Sequence, residues 1–305
     1  MLNITDIQEY YTKFPEPPEI QEIRDKIISS FKKLQFEAGP HKYFVKEGEK
    51  KPKKIELRSV SKLVSSFEPY TDWDTIRQNY AIKNNMTVDQ VKRMWREKNI
   101  KSTNNGTSTH LFGESYFWFF LNRPENIDPV VAPQYEEGFL IPYSPKQEAV
   151  AMYFEGIMNY NKDPNNKVKL YPVLPETMMY ILPNNEYGIE GDDRFAGTMD
   201  ILLAYKDPED GIFKLVCDDW KTNISLFDDF KRKNGKYLEH PFDDVIDENY
   251  GHYSIQLSAY TLMLRQLGFI VTERNIVWLS DNGTYQRIKV NDYSDRLIKR
   301  FGKKK

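Results

Sequence analysis

Ile212-Phe213-Lys214-Leu215-Val216-Cys217-Asp218-Asp219-Trp220-Lys221 is the stretch on which the fold turns. Its first six residues are apolar apart from Lys214, and such a run after a turn reads as a buried strand. Successive strand side chains point to opposite faces, so Asp219 and Lys221 share one face and Asp218 takes the other. The shared face carries a carboxylate able to hold a divalent metal and an ammonium able to steer or deprotonate a water. Asp218, on the opposite face, has no catalytic role in this reading, and Cys217 reads as core packing. Upstream, Gly197-Thr198-Met199-Asp200 opens a second apolar run, Ile201-Leu202-Leu203-Ala204-Tyr205. The acidic turn Asp207-Pro208-Glu209-Asp210-Gly211 joins the two runs into a β-hairpin. Asp200, near the start of one strand, then faces Asp219, near the end of the other. Two carboxylates and a lysine converge.

Working outward, strand-like runs dominate from Val168 to Asp219. Thr222 to Asn249 is charged, carries Gly235 and Pro241, and reads as a loop or lid with weak helical pieces. Tyr253 to Leu267 is an amphipathic helix closed by Gly268. Ile276–Leu279 and Tyr285–Val290 are a final pair of strands before a basic tail. Toward the N-terminus, Pro15-Glu16-Pro17-Pro18 precedes a helix over about Glu19–Leu34. His41 to Val60 reads as a hairpin with a charged turn through Gly48 and Lys50 to Lys54. Ser59-Val60-Ser61 caps a short helix. Helical patterns follow at 73–83 and 88–99, and Asn104-Asn105-Gly106-Thr107 separates the latter from an apolar helix over 108–121. Pro124 to Pro142 is an irregular connection, and Ser144-Pro145 starts a helix that runs to about Tyr160. Helices therefore flank a central mixed sheet, an α/β or α+β chain without internal repeats.

Composition narrows the class. A chain of 305 residues can bury a large core, and 20 Tyr with 18 Phe argue against pervasive disorder. The net charge of −2 does not announce a nucleic-acid binder, although acidic site residues can mask a local basic groove. The single cysteine excludes a disulfide framework and any four-cysteine cluster made by one chain. No apolar run reaches the length of a membrane span, and the N-terminus lacks the apolar region of a signal peptide, so an intracellular protein is expected. The lysines at 50–54 and 303–305 read as solvated charge, with a glancing phosphate contact as the alternative.

Several other residues carry chemistry. His110 precedes Glu114 by four residues, so on a helix the two share a face. It reads either as a satisfied structural histidine or as a metal ligand or DNA-facing group, and the company of Asp200 and Asp219 favours the second. Glu176 is either a solvated strand-end carboxylate or a further acid of the site. Gln256 and Tyr260, spaced i, i+4, are an ordinary half-buried pair or an amide and phenol that bond a phosphate or hold the lysine. His240 and His252 have no partner at a metal-like spacing. HExxH, GxSxG and GxxxxGK[ST] are absent from the sequence.

Taken in order, Gly106-Thr-x-x-His110-x-x-x-Glu114, Glu176, Gly197-Thr-Met-Asp200, Asp219-Trp-Lys221 and Gln256-x-x-x-Tyr260 resemble the RecB-type branch of the PD-(D/E)XK nuclease superfamily, over roughly residues 106 to 290. The hairpin followed by Ser59-Val60-Ser61 is similar to the entry segment of small phage exonucleases and of the mitochondrial genome maintenance exonuclease. The resemblance implies a restriction-endonuclease-like core at 105–305, with residues 1–104 as a helical and hairpin extension packed on it as one wall of a DNA channel. It implies a Mg²⁺- or Mn²⁺-dependent DNA exonuclease of phage DNA processing, recombination or replication. The expected partners are DNA and phage recombination or replication proteins, in the cytoplasm (the host's, if phage-encoded) and away from membranes.

In that family the matching residues would have set roles. Asp200, Asp219, Lys221 and Glu176 would be catalytic; His110, Asp200 and Asp219 would bind the metal; Glu114, Gln256 and Tyr260 would support the site and the DNA backbone. Such residue types suit phosphodiester cleavage, which must generate a hydroxide near neutral pH and neutralise charge growing on phosphorus-bound oxygens. The chain departs from the family in lacking the cysteines of its iron–sulfur branch, so no iron–sulfur cluster is expected, and in lacking helicase motifs. Two rivals stand beside this reading: a catalytically silent DNA-binding or assembly subunit, against which the intact D…D-x-K set argues, and a structure-specific endonuclease.

Overall fold

A computed structural model describes residues 1–48 and 52–303. The chain opens with α1 (Ile4–Lys13), closed by a reciprocal Asn3/Asp6 capping box, and α2 (Pro18–Phe31), with Pro18 at its first position. Strands β1 (Leu34–Glu37), β2 (Lys42–Glu47) and β3 (Lys53–Ser59) form an antiparallel meander. Ser59 ends the meander and caps α3 (Val60–Ser65), its hydroxyl accepting from the Lys62 amide at 3.2 Å. Helix α4 (Trp73–Lys83) is capped by Asp72, and α5 (Val88–Phe120) by a Thr87/Gln90 capping box. A small hairpin of β4 (Tyr135–Glu136) and β5 (Phe139–Leu140) leads to α6 (Pro145–Lys162). Strands β6 (Tyr171–Tyr180), β7 (Phe195–Lys206) and β8 (Phe213–Lys221) follow. The short α7 (Asp229–Lys233), then α8 (Asn249–Arg265), β9 (Val271–Leu279), β10 (Tyr285–Lys289) and α9 (Ser294–Phe301) complete the order.

The largest departure from expectation is α5. In place of two helices parted at 104–107 there is one helix of 33 residues. Asn, Asn and Gly together cost about 2 kcal/mol of helix propensity relative to alanine. Ending and restarting a helix would cost a fresh nucleation. The capping box holds one end, and Phe112, Tyr116, Phe117 and Phe120, fully buried, anchor the other. Residue 104, where an extension was expected to give way to a core, therefore lies inside α5. Helices α1 and α9 and strand β1 were not anticipated. The expected charged turn of the first hairpin and the terminal lysines fall partly outside the described residues.

The expected hairpin of β7 and β8 forms, antiparallel with Ile201 opposite Asp218, and lies at the centre of a mixed sheet. Strand β9 runs parallel to β8 after the α8 crossover, and β10 pairs antiparallel with β9. One edge of β7 pairs with β6 from Ala196 to Ala204. The other edge is shared: β3 pairs parallel at Phe195 and Ala196, and β8 pairs from Ile201 onward. Between these two partners Gly197 to Asp200 have no ladder neighbour on that side among the described residues. The sheet forks there, and the fork is where the candidate site lies.

Two cores cover the sheet. Leu202, Ala204, Leu215, Cys217 and Ile276 face the side packed by α2, α3, α8 and α9. Ile201, Leu203, Val216, Trp220 and Val277 face the side packed by α1, α5 and α6. The alternation is that of a sheet buried on both faces. It places Cys217, Asp219 and Lys221 on the α8 side; Cys217 is buried among apolar neighbours, and that burial pushes its thiol pKa up. Among the described residues no helix is long and apolar enough to cross a membrane.

Candidate metal centre

Asp200 sits at the crotch of the fork, where β7 and β8 begin to separate. One of its carboxylate oxygens accepts the Trp220 amide at 2.6 Å, so the acid stands in for the next ladder bond between the strands. One position on, Asp219 is almost wholly buried, and its carboxylate ion-pairs with Lys221 of the same strand face. Neither Asp219 oxygen accepts a well-aligned hydrogen bond among the described residues. Lys221 in turn lies over the ring of Tyr253, 4.5 Å from its centroid. A buried carboxylate held chiefly by one ammonium is a strongly polarised arrangement.

Glu176 comes from β6. The β6–β7 register pairs Pro175 with Ile201 and Thr177 with Met199, which sets Glu176 directly opposite Asp200. A register shift between Pro172 and Leu174 precedes it. Buried Arg24 of α2 fixes that irregularity by donating to the carbonyls of Val173 at 2.6 Å and Pro172 at 2.8 Å. Glu176 itself has φ of +38°, a left-handed backbone that costs a side-chain-bearing residue about 1–3 kcal/mol. Two carboxylates opposite one another on neighbouring strands repel. His110 of α5 bridges them, its Nδ1 lying 3.3 Å from Asp200 Oδ1 and 3.5 Å from Glu176 Oε1. Ligand atoms of His110, Glu176 and Asp200 lie within 4.8 Å of one another.

The electrostatics follow from this crowding. Burial works against a charged His110, yet the carboxylates of Asp200 and Glu176 outweigh it and hold the imidazole pKa up to about 10. Burial, reinforced by the charge on Asp200, pushes Glu176 up to about 7, with His110 opposing the rise. Asp219 is raised to about 7 by burial and then by Asp200, against the pull of Lys221. Burial would raise Asp200 as well, but His110 and Lys221 reverse the sign and leave it lowered. Burial opposes the Lys221 charge, and Asp219 and Asp200 more than restore it, so its pKa is raised. Carboxylates crowded enough to raise one another are what a divalent cation would relieve.

Helix α8 closes the site from above. Tyr253, Gln256 and Tyr260 fall at i, i+3 and i+7 on one helical face. The Gln256 amide donates to the Tyr260 hydroxyl at 3.1 Å, so the pair bonds to itself and not to Lys221. Close approach depends on Gly197: a Cβ there would stand 2.7 Å from Tyr260 Cε1 and 3.1 Å from Val60 Cγ2. The resulting cavity, about 560 Å³, is lined by His110, Glu114, Glu176, Asp200, Lys221 and Gln256 among others. Tyr43 of β2 reaches across to Thr198 at 3.0 Å, so the N-terminal meander also walls it.

Of the residues singled out from sequence, His110, Glu176, Asp200, Lys221, Glu114, Gln256 and Tyr260 all line this cavity. Asp219 does not join the His110 group. Glu176 stands in the place expected for it, while Asp219 lies beneath, paired with Lys221. Glu114 is one helical turn beyond His110, its pKa raised by burial and by Asp128, and is not part of the ligand group. Asp218 points away as its strand position dictates; it accepts from Tyr153 at 2.6 Å, Asn275 at 2.8 Å and Arg287 at 2.8 Å. Tyr253 and His41, the latter also lining the cavity, were missed. Tyr253 was discoverable by its spacing from Gln256; nothing in the sequence marked His41. The segment after Lys221 is tied down: Arg232 pairs with Glu248 at 2.7 Å, Lys231 with Asp247 at 2.8 Å, and Trp278 donates to the Asn223 carbonyl at 2.7 Å. His252 bonds Asp247 at 2.9 Å and lies 3.9 Å from Glu68, apart from the His110 group. No family model matches the chain, and no curated protein matches it.

Proposed function

We propose that this chain is a divalent-metal-dependent DNA exonuclease with a PD-(D/E)XK core. The observation that carries the reading is the convergence at the sheet fork: an imidazole and two carboxylates within 4.8 Å, with a buried Asp–Lys pair on the adjoining strand. The donor set fits a hard divalent ion. Two oxygens and one imidazole nitrogen suit Mg²⁺ or Mn²⁺, and Glu176 Oε1 is buried without a hydrogen-bond partner among the described residues. His110, Glu176 and Asp200 would hold the ion, with Asp219 the nearest reserve of negative charge. When bound, such an ion polarises a phosphoryl oxygen and lowers the pKa of water.

The remaining work falls to side chains of this chain. Lys221, fixed by Asp219 and Tyr253, presents an ammonium at the cavity wall, where it steadies negative charge growing on a phosphate. Gln256 and Tyr260 offer an amide and a phenol toward a backbone phosphate. Asp200 keeps β7 and β8 in register through the Trp220 amide, so the carboxylates stay aligned as the substrate enters.

The test is cleavage of end-labelled single-stranded, duplex and covalently closed circular DNA, with Mg²⁺, Mn²⁺, Ca²⁺ or excess chelator. Metal-dependent release from free ends with circles left intact supports the reading. Cutting of circles would make it an endonuclease. Inertness toward every substrate with each metal would leave the silent DNA-binding subunit.

A further inference from the structure

The N-terminal half of α5 and all of α4 form an arm whose composition differs from the rest of the chain. From residue 73 to 105 it carries seven basic and three acidic side chains, net +4, on a chain of net −2. Its helices bury little: Ala81 and Val91 are its fully buried residues among those described. Three aromatic rings cluster there, Trp95 meeting Trp73 edge-on at 6.4 Å and Tyr80 at 5.5 Å. Trp73 is 55% exposed, and Trp95, between it and Tyr80, is half-buried.

Along α5 the groove in this arm is lined by Lys92, Trp95, Arg96, Asn99 and Thr103, with Ile100 and Asn104 beside them and Arg77 from α4. Their spacing of three and four is that of a single helical stripe. The same stripe continues through Gly106 and Thr107 to His110, which line the metal-centre cavity. Two cavities, about 550 Å³ and 560 Å³, thus adjoin along one unbroken helix. From Lys92 to His110 the stripe runs about 27 Å at 1.5 Å per residue. Cations spaced along such a track match a polyanion, and an aromatic ring among them matches a π-face that repeats along it.

We infer that the α4–α5 arm is a binding track for single-stranded DNA, with Lys92 and Arg96 on phosphates, Arg77 beside them in an ion pair with Asp74 at 2.8 Å, and Trp95 stacked on a base. The inference rests on the nuclease reading for its direction, which leads the strand to His110. A duplex is a poorer occupant, because its bases are already stacked and leave no face for Trp95.

The experiment separates the two readings by working without turnover. Binding of fluorescein-labelled oligo(dT) of twelve nucleotides to the full chain is measured in excess chelator, across a salt series, beside a labelled duplex of equal length. Lys92→Gln/Arg96→Gln, both exposed positions, should weaken single-strand binding and flatten the salt slope by about 1.4, roughly 0.7 per lost phosphate contact. Trp95→Leu should lose roughly 5- to 150-fold in affinity, with Trp95→Phe retaining most of it. Helicity by circular dichroism distinguishes a lost stack from an unfolded arm, and the charge variants stand independently of that outcome. Unchanged affinity and slope in Lys92→Gln/Arg96→Gln overturn the inference, as does an equal loss for duplex and single strand. Arm-dependent binding by a protein that cleaves nothing would uphold the track and remove the nuclease reading.

Discussion

The ion proposed for the His110 group must compete there with a proton. His110 Nδ1 faces the two carboxylates that hold its pKa up to about 10, against the opposing effect of burial. A metal bound by this nitrogen displaces that proton. Below the pKa each pH unit then costs tenfold in affinity, about 1.4 kcal/mol. Between pH 8.5 and 7.0 Mn²⁺ affinity should fall about 30-fold, and more steeply below neutrality, where Glu176, raised to about 7 by burial, also takes up a proton.

The metal-free protein should show the opposite trend in stability. Both pKa values are raised by folding, so the folded state binds protons more tightly than the unfolded one. The His110 contribution is complete below its ordinary 6.5 and is lost as pH rises through about 10. That of Glu176 is complete below 4.5 and lost through about 7. This group therefore lowers the metal-free Tm as pH rises, while Mn²⁺ raises Tm by a growing margin. The assay is calorimetric titration of Mn²⁺ at three pH values from 7.0 to 8.5, in buffers of differing ionisation enthalpy, on wild type and His110→Gln. Wild type should give a slope of at least one in log affinity against pH with one or more protons released, and His110→Gln a different profile, set by Glu176, whose pKa His110 no longer holds down. A flat wild-type profile would refute the assignment of His110 as a donor.

Asp200→Asn, Asp219→Asn and Lys221→Ala should each cut DNA cleavage at least about 100-fold, roughly 3 kcal/mol in the barrier, while circular dichroism shows the fold retained; near-normal turnover in any of them would misplace the site. Gly197→Ala must push Tyr260 aside from a 2.7 Å approach and should cost about 1–3 kcal/mol in a urea melt. Adding Tyr260→Leu should recover part of that loss, and additive losses would show that the contact is not the cause. Arg24→Met leaves two buried carbonyls and Glu16 unpaired beside the β6 irregularity, so it should cost about 3 kcal/mol and weaken Mn²⁺ binding through Glu176; unchanged Mn²⁺ affinity would detach Arg24 from the site.

Much of the site could be read from sequence because its parts obey local periodicities. The face shared by Asp219 and Lys221, the opposite face taken by Asp218, and the helical pairing of Gln256 with Tyr260 all follow from two or 3.6 residues per repeat. What could not be read depends on distant partners. Glu176 comes opposite Asp200 only through a register shift that Arg24 stabilises from 148 and 149 residues away, and no local pattern reports that. The fork likewise requires β3 to find β7 across the whole middle of the chain. Helix α5 misled for the converse reason: local propensity at Asn104-Asn105-Gly106 argued for a break, and the capping box at one end with tertiary anchoring of the aromatic residues at the other overrode it. The Asn3/Asp6 capping box of α1 was legible and went unread.

The continuity of α5 turns residue number into an angle. Each residue advances the helix by about 100°, so a single insertion between Lys98 and Asn105 would swing the groove-facing stripe a quarter-turn or more away from His110 without altering a side chain. Seven inserted residues complete nearly two turns, return the stripe within about 20° of its phase and lengthen the arm by about 10 Å. Length along this arm can therefore change in steps near seven residues, or less faithfully in threes and fours, but not one residue at a time. Chains built on the same plan should carry arms whose lengths are quantised, and a single-alanine insertion should be worse for strand binding than a seven-residue one.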